Sequence, residues 1–104
     1  MADWVHMTEG VRRRILNDGE KLMLVQVEFA AAGNSVPAHH HINEQISYVT
    51  MGKMRFTVDG REVIVSAGES LHVPANVVHD ATALEPSTVL DMFSPPRDDF
   101  RPKA

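Results

Sequence analysis

The stretch Pro37-Ala38-His39-His40-His41-Ile42-Asn43-Glu44-Gln45 decides how this chain is read. Three of the six histidines stand there in consecutive positions, and the strand-like run Gln45-Ile46-Ser47-Tyr48-Val49-Thr50 follows at once. In extended backbone, residues two apart share a face. His39 and His41 therefore point one way and His40 the other, toward the surface or an edge. Gln45, four residues past His41, shares the first face if one strand runs through both. Two imidazoles and an amide oxygen on one side of a strand make a partial site for a transition metal. The fourth ligand has to come from elsewhere, and His79 is the best candidate, in Gly68-Glu69-Ser70-Leu71-His72-Val73-Pro74-Ala75-Asn76-Val77-Val78-His79. The bland alternative, a solvated histidine loop, does not account for the spacing to Gln45. His6 and His72 have no comparable context, and His72, in an apolar run before a proline, reads as a packed strand histidine.

Outward from this stretch the pattern is one of short strands. Met23, Val25, Val27 and Phe29 alternate as the apolar face of a strand. Asn17-Asp18-Gly19-Glu20 is a turn signal ahead of it. Val11-Arg12-Arg13-Arg14-Ile15-Leu16 reads as an edge strand protected by charge, and Trp4 and Val5 as a terminal flap. Met51-Gly52-Lys53 reads as a tight hairpin connection. Asp59-Gly60, between Met54–Val58 and Arg61–Val65, is the strongest hairpin signal in the chain. Ser70–Val73, Val77–Leu84 and Ser87–Phe93 complete the set. Short strands at near-regular spacing, with Gly or Pro between them and no long helical period, predict an all-β barrel or sandwich.

Composition sets the bounds. The chain's 104 residues, 43% of them hydrophobic, suit one domain spanning 1–104 with one core. It has no cysteine, so neither disulfides nor thiol chemistry are expected. A formal net charge of −4 argues against a nucleic-acid surface. No apolar run approaches the ~20 residues that cross a bilayer, and no secretory signal is visible at the N-terminus. The expectation is a cytoplasmic protein without membrane or nucleic-acid partners.

Two blocks resemble the cupin superfamily of small β-barrels. His39, His41, Gln45 and Gly52 match the first cupin motif, and Gly68, Pro74 and His79 match the second. The resemblance covers roughly residues 20–93 and implies a double-stranded β-helix, or jelly roll. It also implies one divalent transition metal on His39, His41, Gln45 and His79, with zinc, nickel, iron, manganese and copper all left open. Many cupins carry glutamate where this chain has Gln45, and the neutral amide leaves the site one charge more positive, favouring an anionic ligand.

The tail Asp91-Met92-Phe93-Ser94-Pro95-Pro96-Arg97 is similar to the end of a small cupin group from pectin and alginate breakdown, which converts 4,5-unsaturated monouronates into linear keto sugars. That resemblance implies Asp91 and Arg97 in catalysis, and Phe93 and Arg97 in binding a carboxylate or sugar substrate. The residues suit such work on their own terms. Asp91 and Phe93 are two apart and share a face. Pro95-Pro96 stiffens the exit toward Arg97, whose guanidinium suits a carboxylate. Asp91 beside a metal is placed to move a proton. A solvated arginine and a structural aspartate are the plain alternatives. Two other functions stay open, a metal-dependent dioxygenase and a non-catalytic small-molecule-binding module. Small cupins are often homodimers, and an apolar exterior at Ile46, Tyr48, Leu90 and Met92 allows one here.

Overall fold

The alternation of residues 23–29 carries directly into the computed structural model, which describes residues 3–102. Met23–Phe29 forms strand β3 with every second residue buried. Before it run β1 (Val5–Thr8) and β2 (Val11–Asp18). After it come β4 (Ser35–His39), β5 (Glu44–Met51), β6 (Lys53–Val58), β7 (Arg61–Ser66), β8 (Ser70–Val73), β9 (His79–Ala83) and β10 (Ser87–Ser94). A short 3₁₀ turn at Asp98–Phe100 follows. The strands form two antiparallel sheets, ordered β1-β2-β3-β10-β5-β8 and β4-β9-β6-β7. This is the expected all-β jelly-roll barrel.

The inner faces divide the interior into two kinds of lining. Val11, Phe29, Val49, Met54, Phe56, Val65, Ala83 and Val89 belong to one contiguous apolar cluster. Burying each larger apolar side chain contributes about 1.5–3 kcal/mol. On β5 and β10 the alternation then turns polar without leaving the inner face. Gln45 lies opposite Phe93, and Ser47 opposite Asp91. Gln45, Ser47 and His79 are all buried. A polar cluster placed this way needs its hydrogen bonds met internally.

Four local expectations are corrected. Residues 5–8 are a strand, so β1 is the edge and β2 is an inner strand between β1 and β3. The arginines of β2 accordingly make cross-strand bonds, Arg12 to Glu28 and Arg14 to Gln26, and both stack over Trp4. Met51-Gly52-Lys53 is no hairpin, because β5 and β6 lie in different sheets. It is the corner where the chain crosses between them, with Gly52 at φ 90°. His72 is exposed, with its Nε2 2.6 Å from Glu44 Oε2, since inward positions on β8 fall to Leu71 and Val73. By contrast, Asp59-Gly60 does close the β6–β7 hairpin, with both residues at positive φ.

The Gly52 corner generates a stability prediction. A Cβ there would collide with Ser87 Oγ and the Pro86 carbonyl, in a backbone conformation that side chains disfavour. Gly52→Ala should therefore cost at least about 1–3 kcal/mol. Urea unfolding followed by circular dichroism checks it, and a wild-type midpoint would contradict the packing at this corner.

Candidate metal centre and cavity

Strand ends, rather than one continuous strand, bring the histidines together. His39 is the last residue of β4 and lies opposite His79, the first residue of β9. Their ring centroids are 4.3 Å apart. His41 stands beyond β4 in the bend to β5, with its ring 5.4 Å from His39 and 4.9 Å from His79. The expected shared strand face for His39, His41 and Gln45 is thus corrected. β4 and β5 belong to opposite sheets, and Gln45 reaches the cluster across the barrel. His40 is exposed, as expected from alternation.

Each ring is oriented by the backbone beside it. Nδ1 of His39 lies 3.0 Å from the Pro37 carbonyl, Nδ1 of His41 2.9 Å from that of Asn43, and Nδ1 of His79 2.8 Å from that of Val77. A carbonyl only accepts, so each Nδ1 carries the proton and each Nε2 presents a lone pair. Candidate ligand atoms of the three lie within 4.8 Å of one another. His79 Nε2 is the one buried side-chain nitrogen or oxygen among the described residues without a hydrogen-bond partner. His41 Nε2 faces Gln45 Oε1 at 3.1 Å, acceptor against acceptor. Gln45 is held in that orientation because its Nε2 donates to Ser47 Oγ at 2.9 Å, and Ser47 Oγ donates in turn to Asp91. Orphaned and opposed lone pairs of this kind are relieved by a shared cation, so the residues fit a metal. The three histidines can hold one.

Electrostatics favour the neutral forms of His41 and His79. Burial first, then the positive charge of Arg97 and the neighbouring imidazoles, lowers His41 to about 4, against the pull of its backbone bond to Asn43. Burial likewise lowers His79, with its bond to Val77 opposing and the charges of His39 and Arg97 adding to the drop. Neutral imidazole is the ligating form.

The histidine cluster adjoins a cavity of about 240 Å³, lined by His39 and His79 but not by His41. His39, Gln45 and His79 meet Asp91, Phe93 and Arg97 there. Burial raises Asp91 to about 6, opposed by the Ser47 hydroxyl, by Arg97 and by Gln45. Arg97 is buried, and its guanidinium lies 5.0 Å from the Phe93 ring centroid and 4.0 Å from that of Phe100. The sequence reading missed several participants. Ser47 is on the same face as Gln45 by simple alternation and was findable. Asn43, which joins the histidine bend to the tail by donating to the Pro95 carbonyl at 2.6 Å, carried no local signal.

Residues 25–93 match the cupin domain family. This chain belongs to the cupin family. The cupin is 35% identical over 98 residues to the pectin degradation protein KdgF of Dickeya dadantii, a match spanning 93% of this chain and 89% of that one. Its fold superposes on the solved structure of KdgF from a Halomonas species with a TM-score of 0.89 at 37% identity, covering 95% of this cupin and 91% of that chain. It is also 32% identical to quercetin 2,3-dioxygenase of Bacillus subtilis over 63 residues, but these make up 61% of this chain and only 19% of that larger protein. No helix among the described residues is long and apolar enough to cross a membrane.

The raised Asp91 carries a pH prediction for the metal-free protein. Its folded value, about 6, lies above the ordinary carboxylate value of 3.8. Between those limits the folded state binds more protons, so its stability falls as pH rises through the window. Asp91→Asn removes that dependence. The variant should gain stability relative to wild type from pH 4 to pH 6 and hold the gain above, in paired urea titrations across the range. A difference independent of pH would contradict a half-buried, hard-to-ionise Asp91.

Proposed function

We propose that this cupin is a metal-dependent enzyme that opens the ring of 4,5-unsaturated uronates and converts the product to a linear keto sugar. The observation that carries the reading is that one cavity unites the His39, Gln45 and His79 end of the barrel with Asp91, Phe93 and Arg97. Two structural and sequence relatives named KdgF, one of them described as a pectin degradation protein, support the substrate class. A divalent metal on His39, His41, Gln45 and His79 would supply Lewis-acid polarisation of a substrate oxygen, and zinc, nickel, iron, manganese and copper all accept such donors.

The chain's own residues supply the rest. Arg97 binds the substrate carboxylate by charge-assisted hydrogen bonds. Phe93 forms an apolar wall that limits water around the sugar ring. Asp91, with a value near neutrality, both accepts and returns a proton at working pH. The reaction balances without a co-reactant. A proton leaves the hemiacetal hydroxyl, the bond from the anomeric carbon to the ring oxygen breaks, and an enol forms. Its hydroxyl proton is then lost while the neighbouring carbon gains one, leaving a ketone. The protein is read as acting in the cytoplasm as a homodimer. Ile46, Tyr48 and Met92 are exposed beside half-buried Leu90 on the outer face of the larger sheet, and light scattering tests the pairing.

Two experiments test the assignment. His41→Ala should lose the metal and all turnover, whereas His40→Ala should keep both, as read by elemental analysis and assay. Equal metal loss in folded samples of both would reject the ligand set. In steady-state kinetics on lyase-generated unsaturated galacturonate, Arg97→Ala should raise KM about ten- to a hundredfold. Asp91→Asn should instead lower kcat by about 10²–10⁴ with metal retained. Substrate-linked oxygen uptake, without uronate turnover, would favour a dioxygenase.

A further inference from the structure

We propose that Asp99 is a positioning residue that grips Arg97 from outside the cavity and aims its free edge at a bound carboxylate. This rests on the reading of Arg97 as the carboxylate clamp. Arg97 donates from Nε to Asp99 Oδ1 at 3.0 Å and from Nη2 to Oδ2 at 2.8 Å. Two parallel bonds to a carboxylate fix the guanidinium plane as well as its place. They occupy one edge of a five-donor fork.

The other edge is left for a ligand. Nη1 makes no hydrogen bond to a described residue, and it is not sealed away, because among the described residues His79 Nε2 alone is a buried side-chain nitrogen or oxygen without a partner. Arg97 and Phe100 line the cavity, while Asp99 does not. Asp99 lies instead in an outer groove with Asn43, Pro95 and Arg101. It therefore holds the arginine without standing where a substrate carboxylate would bind.

Asp99 is itself braced. Arg101 reaches back to Asp18 through Nη2 at 2.7 Å and Nε at 2.8 Å, pinning the 3₁₀ turn to the end of β2. Phe100, the next residue after Asp99, takes the Arg97 guanidinium at 4.0 Å and that of Arg13 at 3.8 Å from its ring centroid. Arg13 projects inward from β2 between Val11 and Ile15, and this stacking gives it a use that strand alternation alone did not suggest. The turn thus meets Arg97 through a carboxylate and a ring face from two consecutive residues.

The test is kinetic and spectroscopic. Asp99→Ala should raise KM for unsaturated galacturonate about threefold to tenfold, the cost of ordering one long side chain on binding. kcat and metal content should hold, and Asp99→Glu should recover part of the loss. A lower KM in Asp99→Ala would mean that Asp99 competes with substrate, and an unchanged KM that it is ornamental to binding; either overturns the inference. If wild type turns over no uronate, the uronate reading fails by itself, and nitrogen NMR of the zinc-loaded protein decides the positioning role. Titrated sodium acetate should shift the Arg97 Nη signals and leave Nε, still bonded to Asp99, in place. A shifted Nε signal, or no shift in any Arg97 signal, overturns it.

Discussion

Three imidazole lone pairs and an amide oxygen held close together repel one another, and a small set of hydrogen bonds keeps them there. The carbonyls of Pro37, Asn43 and Val77 each hold one Nδ1. Asn43 lies in the bend before β5 and Val77 just before β9, and Pro37 falls in the irregularity where β4 pairs with β9. The same constraint extends from Gln45 through Ser47 to Asp91. Rotating the amide of Gln45 would break that run, so Asp91 and the histidine cluster are orientationally coupled.

Much of the barrel was legible because its signals are local. Alternation in residues 23–29 and the Asp59-Gly60 turn report on neighbours in sequence, and both hold in the structure. The misread elements are those fixed by distant packing. Gly52 looks like any hairpin glycine until Pro86 and Ser87 are seen to press on it. His72 looks packed until Leu71 and Val73 are seen to take the inward positions. Residues 5–8 have weak alternation of their own and become a strand because β2 offers them an edge.

The candidate site divides along the same line. The two histidine-bearing motifs named His39, His41, Gln45 and His79, and the structure brings them together, though across two sheets rather than along one strand. The tail pattern named Asp91, Phe93 and Arg97, which share the cavity. What holds these residues was mostly hidden. Asn43 acts through carbonyls more than fifty positions away, and Arg101 through an aspartate at the far end of β2. No periodicity or short motif encodes contacts of that separation.

The place of β10 in its sheet has a consequence for how the chain matures. This strand lies between β3 and β5, which do not pair with each other. A nascent chain that has not yet delivered Ser87 therefore holds two sheet fragments with open backbone edges, the kind of template that invites aggregation. Insertion of β10 closes both edges and, in the same movement, carries Asp91 and Phe93 into the cavity. Closure of the sheet and completion of the cavity wall therefore depend on the same strand: once both edges are covered, Asp91 and Phe93 already line the cavity.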